Sequence, residues 1–261
     1  MAAILAGRHA LVGGASQGIG RAIAIALAER GARVSLLARS RDALIEVAQE
    51  CIVAGAPDAH VLVADLDDRD ALASQMQRHL RETGPVQVWI HNTGGPPAGS
   101  LLHAPPEDLA HSLQRHLIAG QQMLQALISG MEEAGWGRII TITSTSVKEP
   151  LPKLGVSNLT RSAVHSWMKS LSHELPPGIT INNVCPGFTD TPRLRSLARH
   201  TADAQSMDIE QVWADWAEST PVGRIAGPEE IAEVVAFLCS PAAGYVDGVA
   251  IPVDGGRTRA L

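Results

Sequence analysis

The chain has 261 residues, 45% of them hydrophobic, 18% charged and only 3% aromatic, with a formal net charge of −6. That is enough Ala, Val, Ile and Leu for a folded interior, which excludes general disorder, and the length suits one large α/β unit. An acidic balance with no block of Lys and Arg excludes a basic patch for nucleic acid or an anionic membrane surface.

Short apolar runs alternate with longer amphipathic stretches, the pattern of βα units that build a mostly parallel sheet covered on both faces. The first seven residues lack the positive segment of a signal peptide, and no apolar run of membrane-spanning length occurs after them, so neither leader nor span is expected. A strand over 9–12 enters a glycine turn, then a helix in which Ile19, Ile23 and Leu27 recur every four residues before Gly31 closes it. Strands at 33–38 and 61–64 alternate with helices at 41–54 and 68–83, the second capped by the acidic turn at Asp67. A strand over 86–90 runs into the Gly94-Gly95-Pro96-Pro97 loop, and one long helix is predicted over 106–131. A strand at 138–143, a helix at 157–175 stopped by Pro176-Pro177-Gly178, and a strand at 180–184 come next. The segment 191–221 is irregular and helical, the place of a substrate lid. A helix over 228–240 and a strand over 249–253 complete a single Rossmann-fold α/β domain over 1–261, a doubly wound parallel sheet of about seven strands. Three cysteines, Cys51, Cys185 and Cys239, odd in number and far apart, read as buried reduced thiols of a cytoplasmic protein without zinc.

The segment Gly14-Ala15-Ser16-Gln17-Gly18-Ile19-Gly20 puts three glycines between the first strand and the first helix. There they let backbone approach a pyrophosphate and aim a helix N-terminus at it. This spacing resembles that of the short-chain dehydrogenase/reductase family, and the likeness covers nearly the whole chain. Asp65, followed by Leu66, resembles the family residue that holds the adenine amino group. His91-Asn92-Thr93-Gly94 resembles its N-N-A-G motif. Asn183, Val184, Pro186, Gly187 and Thr191, with Thr189 between the last two, resemble the segment that meets the nicotinamide carboxamide, and 227–232 and 253–256 match the closing helix and strand. The resemblance implies dinucleotide contacts from Gly14, Ser16, Gln17, Gly18, Ile19, Gly20, Asp65, Leu66, Asn92, Gly94, Arg161, Pro186, Gly187, Thr189 and Thr191.

Charge argues for the cofactor type. An acid after the second strand would accept from a ribose diol, whereas a 2′-phosphate needs a cation. The strand ends in Leu37-Ala38-Arg39-Ser40-Arg41 without an acid, so Arg39, helped by Arg41, favours NADP(H) over NAD(H).

The catalytic positions depart from the family pattern of Asn, Ser, Tyr and Lys. Ser144, at the end of the fifth strand, matches the serine that polarises the carbonyl. The usual interval of 13 residues then reaches Ser157 instead of tyrosine, and Arg161 stands one helical turn on, where the lysine belongs. His116 falls at the asparagine position. The only tyrosine, Tyr245, lies in the loop before the last strand and reads as structural. An alkyl hydroxyl cannot be tuned like a phenol, and arginine holds its proton, so the family's usual acid is missing.

Two function classes survive. One is a 3-oxoacyl-(acyl carrier protein) reductase-like oxidoreductase for a small carbonyl or alcohol. In it Ser144 holds the oxygen, Arg161 stabilises charge, and a proton comes from water, from His116 with its near-neutral pKa, or from Lys148 or Lys153. The other is a dinucleotide-binding sensor, scaffold or assembly subunit. In the lid, Arg193, Arg195, Arg199 and His200 either meet an anionic group of the substrate or face water. The spacing of His111 and His116 does not share a helix face, so no metal is expected. Family likeness implies a homotetramer or homodimer.

Overall fold

A computed structural model of the chain describes residues 3–260; Met1, Ala2 and Leu261, the ends of the expected domain, lie outside the described residues. The first βα units are β1 (His9–Gly13), α1 (Gly18–Glu29), β2 (Arg33–Ala38), α2 (Arg41–Ala54), β3 (Ala59–Val63) and α3 (Arg69–Thr83). β4 (Val88–Asn92) leads through a loop to α4 (Pro106–Leu113), and a π-helical turn over Gln114–Ile118 passes into α5 (Ala119–Glu133). β5 (Gly137–Ile142), α6 (Gly155–Leu171) and β6 (Ile179–Pro186) come after it. The chain closes with α7 (Pro192–Gln205), α8 (Ile209–Glu218), α9 (Pro228–Leu238) and β7 (Ala250–Val253).

All seven strands pair in parallel in the order β3-β2-β1-β4-β5-β6-β7. Alternation along each strand divides the core between the two faces. Ala10, Val12, Val88, Ile90, Ile140 and Ile142 face one layer, where Ile23 and Leu27 of α1, Leu44 of α2, and Ile231 and Val235 of α9 cover them. Leu11, Trp89, Ile139 and Ile181 face the other, against Leu72 and Met76 of α3, Met123 and Leu127 of α5, and Met168 of α6. The strand order reverses between β1 and β4, and a crevice opens at the carboxyl ends there, as doubly wound sheets require. The three cysteines are buried free thiols.

Three local expectations change. Asp68, not Asp67, caps α3, its carboxylate accepting from the Ala71 N–H at 3.0 Å. Asp67 is turned away to Arg115, which donates to it through Nε at 3.1 and 3.2 Å. The single helix expected over 106–131 runs on from Pro106 to Glu133 but contains a π turn over Gln114–Ile118, which adds one residue to a turn and shifts the faces beyond it. The fourth strand starts later than expected and takes in Asn92, so this residue ends a strand instead of standing in a loop.

Candidate active site

The crevice widens into a cavity of about 690 Å³ lined by the glycine turn, the ends of β2 to β6 and the start of α7. It gathers the cofactor and catalytic residues expected from sequence except His116, Arg41, Lys148 and Lys153, from Arg39 and Asp65 at one end to Ser144, Ser157 and Arg161 at the other, with the glycine turn between. Thr93, Gly95, Arg115, Leu154 and Leu197 line it too and were not among the expected site residues, and of the four basic residues weighed at 193–200 only Arg193 reaches it. Gly95 could have been found as a neighbour of the motif residue Gly94. Arg115 had no such signal, because its place depends on the π turn.

The glycine turn fits a diphosphate. Gly14 and Gly18 have φ of +59° and +56°, backbone that L side chains rarely adopt. A Cβ on Gly20 would stand 2.1 Å from the Gly14 carbonyl oxygen, so the helix can start this close to the strand only with glycine there. The Gln17 N-cap makes no side-chain hydrogen bond and the first turn of α1 carries no acid, which leaves its N–H groups directed at the cavity. Asn92 Nδ2 donates to Gly13 O at 3.0 Å and so ties the end of β4 to this turn across the switch point. At the far end of β2, Arg39 and Ser40 line the cavity, and Arg39 has no ion-pair partner among the described residues. Thr191 caps α7, its hydroxyl accepting from the Leu194 N–H at 3.2 Å, with its methyl packed near Gly18.

Ser144 lies just beyond β5 with extended backbone, and its Oγ accepts from the Ser146 N–H at 3.1 Å. That contact uses a lone pair and leaves the hydroxyl proton free to be donated into the cavity. Ser157 and Arg161 stand one turn apart on α6. The Arg161 guanidinium is buried and donates to Ile142 O at 2.8 Å and to Thr93 O at 3.2 Å, the carbonyls at the ends of β5 and β4. Desolvation, then the charge of Arg193, pulls its pKa down to about 10, so it remains a cation at neutral pH.

His116 corrects the sequence expectation of a near-neutral donor. It lies in the π turn, only 1% exposed and off the cavity wall, with Nδ1 hydrogen-bonded to the Thr93 hydroxyl. Burial, and after it the nearby charge of Arg161, drives its pKa far below the usual histidine range, so the ring is neutral and carries no imidazolium proton to give. Its carbonyl accepts from His91 Nε2 at 2.6 Å, which ties the π turn to β4. Lys148 and Lys153 line no part of the cavity. Tyr245 is fully exposed and outside it, so it has no packing role and offers no phenol to the site.

Helices α7 and α8 have their own small core, Ala198, Ala202 and Val212 under Trp213 and Trp216, and Trp216 stacks on Phe188 at 4.8 Å. The arginines at the start of α7 divide. Arg195 is held by Asp190 at 2.7 and 2.8 Å, whereas Arg193 turns to the cavity and donates to Pro96 O.

Residues 14–258 match the family described as Enoyl-(Acyl carrier protein) reductase. The chain is 32% identical to the 3-oxoacyl-[acyl-carrier-protein] reductase FabG of Pseudomonas aeruginosa, over 97% of its own length and 98% of that protein's. It is 31% identical to the NADPH-dependent reductase BacG of Bacillus subtilis, over 97% and 99%. The crystal structure of L-sorbose reductase from Gluconobacter frateurii, complexed with NADPH and L-sorbose, superposes with a TM-score of 0.93 at 28% identity, covering 100% of both chains. Relatives of this kind favour catalysis over the sensor or scaffold reading. With its seven parallel strands, its glycine turn and this kinship, the chain belongs to the short-chain dehydrogenase/reductase family and is an oxidoreductase of that type.

Proposed function

We propose that the chain is an NADP(H)-dependent reductase of small carbonyl compounds, or a dehydrogenase of the matching alcohols, with a proton supplied by solvent. The observation that carries this reading is one continuous cavity that runs from Arg39 and Asp65 past the glycine turn to Ser144 and Arg161. The glycine turn and the α1 N-terminus bind the diphosphate, Asp65 with Leu66 holds the adenine, and Arg39 selects a 2′-phosphate. Thr189 and Thr191, with Pro186, Gly187 and Gly94, place the nicotinamide end, whose bound ring supplies the two-electron chemistry. The cofactors of the relatives support NADP(H), since BacG is named NADPH-dependent and L-sorbose reductase holds NADPH.

Ser144 donates its free hydroxyl proton as a hydrogen bond to the substrate oxygen, and Arg161 stabilises negative charge that builds there. Ser157 is shorter than a phenol and leaves room for water at the place where the family acid stands, and water delivers the proton. His116 is a positioning residue. It fixes Thr93, whose carbonyl in turn fixes Arg161.

The lid is α7 and α8, folding over the substrate. A homotetramer or homodimer in the cytoplasm completes the reading, with Phe237 of α9 and Tyr245 of the loop after it exposed large side chains that a partner could cover. Among the described residues no helix is long and apolar enough to cross a membrane.

The test is loss of NADPH absorbance with a panel of aldehydes, ketones and β-ketoacyl thioesters. Ser144→Ala should lower kcat/KM about 100- to 1,000-fold, the usual cost of one transition-state hydrogen-bond donor. Unchanged turnover in that variant would remove Ser144 from the mechanism.

A further inference from the structure

We propose that Arg161 and Arg193 form an oxyanion clamp at the reacting end of the cavity, so that the substrate carries a carboxylate near its carbonyl or alcohol carbon. The proposal rests on the oxidoreductase reading and narrows its substrate class to oxo acids and hydroxy acids.

Four arginines line the cavity, Arg39, Arg115, Arg161 and Arg193, against a single carboxylate, Asp65. Arg115 is answered by Asp67, and Arg39 stands at the end of β2, where a cofactor phosphate accounts for it. Arg161 and Arg193 have no acidic partner among the described residues. They approach the same backbone position. A Cβ on Gly95 would lie 3.6 Å from Nη2 of Arg161 and 3.9 Å from Nη2 of Arg193, and glycine keeps the space between them open.

Each guanidinium is held by carbonyl oxygens alone, Arg161 by Ile142 and Thr93, Arg193 by Pro96 at 2.5 Å. Such contacts fix direction and leave the charge unneutralised. Two like charges brought together with one of them buried repel, and the depression of the Arg161 pKa by Arg193 expresses that repulsion. An oxyanion between them removes the repulsion and gains charge-assisted, planar hydrogen bonds. The neighbouring Arg195 shows the contrast, because Asp190 already neutralises it.

Arg161 is anchored on the ends of β4 and β5 and Arg193 on the loop after β4, and β5 leads directly into Ser144. An anion held here therefore belongs beside the oxygen that Ser144 binds. The cofactor diphosphate has its own place on the glycine turn. Leu154 and Leu197, also on the cavity wall, suit the carbon skeleton of such an acid.

The test uses the NADP⁺-loaded protein, in which an oxo acid binds without turnover. A series of 2-, 3- and 4-oxo acids with alkyl and phenyl tails, and the methyl ester of each, is titrated by calorimetry. At least one acid should bind about 10- to 100-fold more tightly than its ester, as expected for a charge-assisted pair. Arg193→Gln should bring that ratio to about one, and Gly95→Asp, which places a fixed carboxylate between the guanidiniums, should do the same. Arg193 is exposed on α7, and a melting curve checks that both variants fold.

Equal affinity for acid and ester in every pair overturns the clamp. So does an Arg193→Gln protein that loses NADP⁺ affinity while keeping the acid-to-ester ratio, since the arginine then serves a cofactor phosphate. Failure of the wild type to bind NADP⁺ is seen in the first titration and removes the underlying reading itself. Turnover of neutral ketones with no preference for acids removes only the clamp.

Discussion

Acidification from about pH 8 to about pH 5 should destabilise the fold through four buried histidines, His116 of the π turn and three others. His9, His79 and His91 are 2%, 5% and 4% exposed, and burial above all pushes the pKa of each down to about 4. Arg33 acts in the same direction on His9, as do His60 on His79 and Arg161 on His91. The Ser35 hydroxyl bridges His9 and His79, standing 2.7 Å from each Nε2.

An unfolded histidine titrates near 6.5, so between about pH 6.5 and 4 the unfolded chain binds more protons than the folded one. Stability is complete above about pH 6.5 and falls as pH is lowered. At about pH 5 one such group costs ~2 kcal/mol, and His9 and His79, coupled through Ser35, add ~3 kcal/mol as a pair. Against a usual total of about 5–15 kcal/mol, the combined ~7 kcal/mol, with His91 and His116 counted singly, should lower Tm by roughly 15–25 °C. Glu230, held at about 2 by Arg224, adds to the loss only below about pH 5, where an unfolded glutamate begins to take up its proton. Circular dichroism melts at closely spaced pH values measure the slope, and a His9→Gln/His79→Gln protein, whose amides can still meet Ser35, should lose about half of it. A Tm that stays level over the whole range would refute the reasoning, and so would an undiminished slope in the double variant.

Other outcomes depend on single contacts. Gly20→Ala should abolish dinucleotide binding and lower Tm by several degrees, because its Cβ would meet Gly14 O at 2.1 Å; calorimetry and a melting curve read both effects. Arg39→Glu should reverse the preference between NADPH and NADH, moving the ratio of their Kd values by about 100-fold or more, as read by nucleotide fluorescence. Asp68→Ala should cost ~1 kcal/mol in urea unfolding, whereas an Asp67→Ala effect would come through Arg115 instead of the helix cap.

The parts of the fold legible in the sequence are those written in local chemistry. The apolar run at 9–12, three closely spaced glycines and the four-residue recurrence of Ile19, Ile23 and Leu27 define β1, its turn and α1 without any distant contact. The motif residues are legible for the same reason, since the carboxyl ends of adjacent parallel strands bring their loops together. The π turn is not, because the apolar periodicity of α4 runs on into α5 and a one-residue insertion leaves no local mark. With it goes the state of His116, whose pKa depends on the groups that cover the ring, and the pairing of Arg115 with Asp67. Adjacent acids at 67 and 68 make the cap ambiguous, as either could face the helix. Arg193 and Arg195 are both basic and two apart, and only the start of α7 at Pro192 decides which turns inward.

Calorimetric titration of the folded chain with NADPH and NADH tests the central claim most directly, because every role assigned to Ser144, Arg161 and Arg193 presupposes a dinucleotide along the cavity. One site per chain, with NADPH bound more tightly than NADH, is the expected result. No heat with either nucleotide, reduced or oxidised, from protein that melts cooperatively would contradict it.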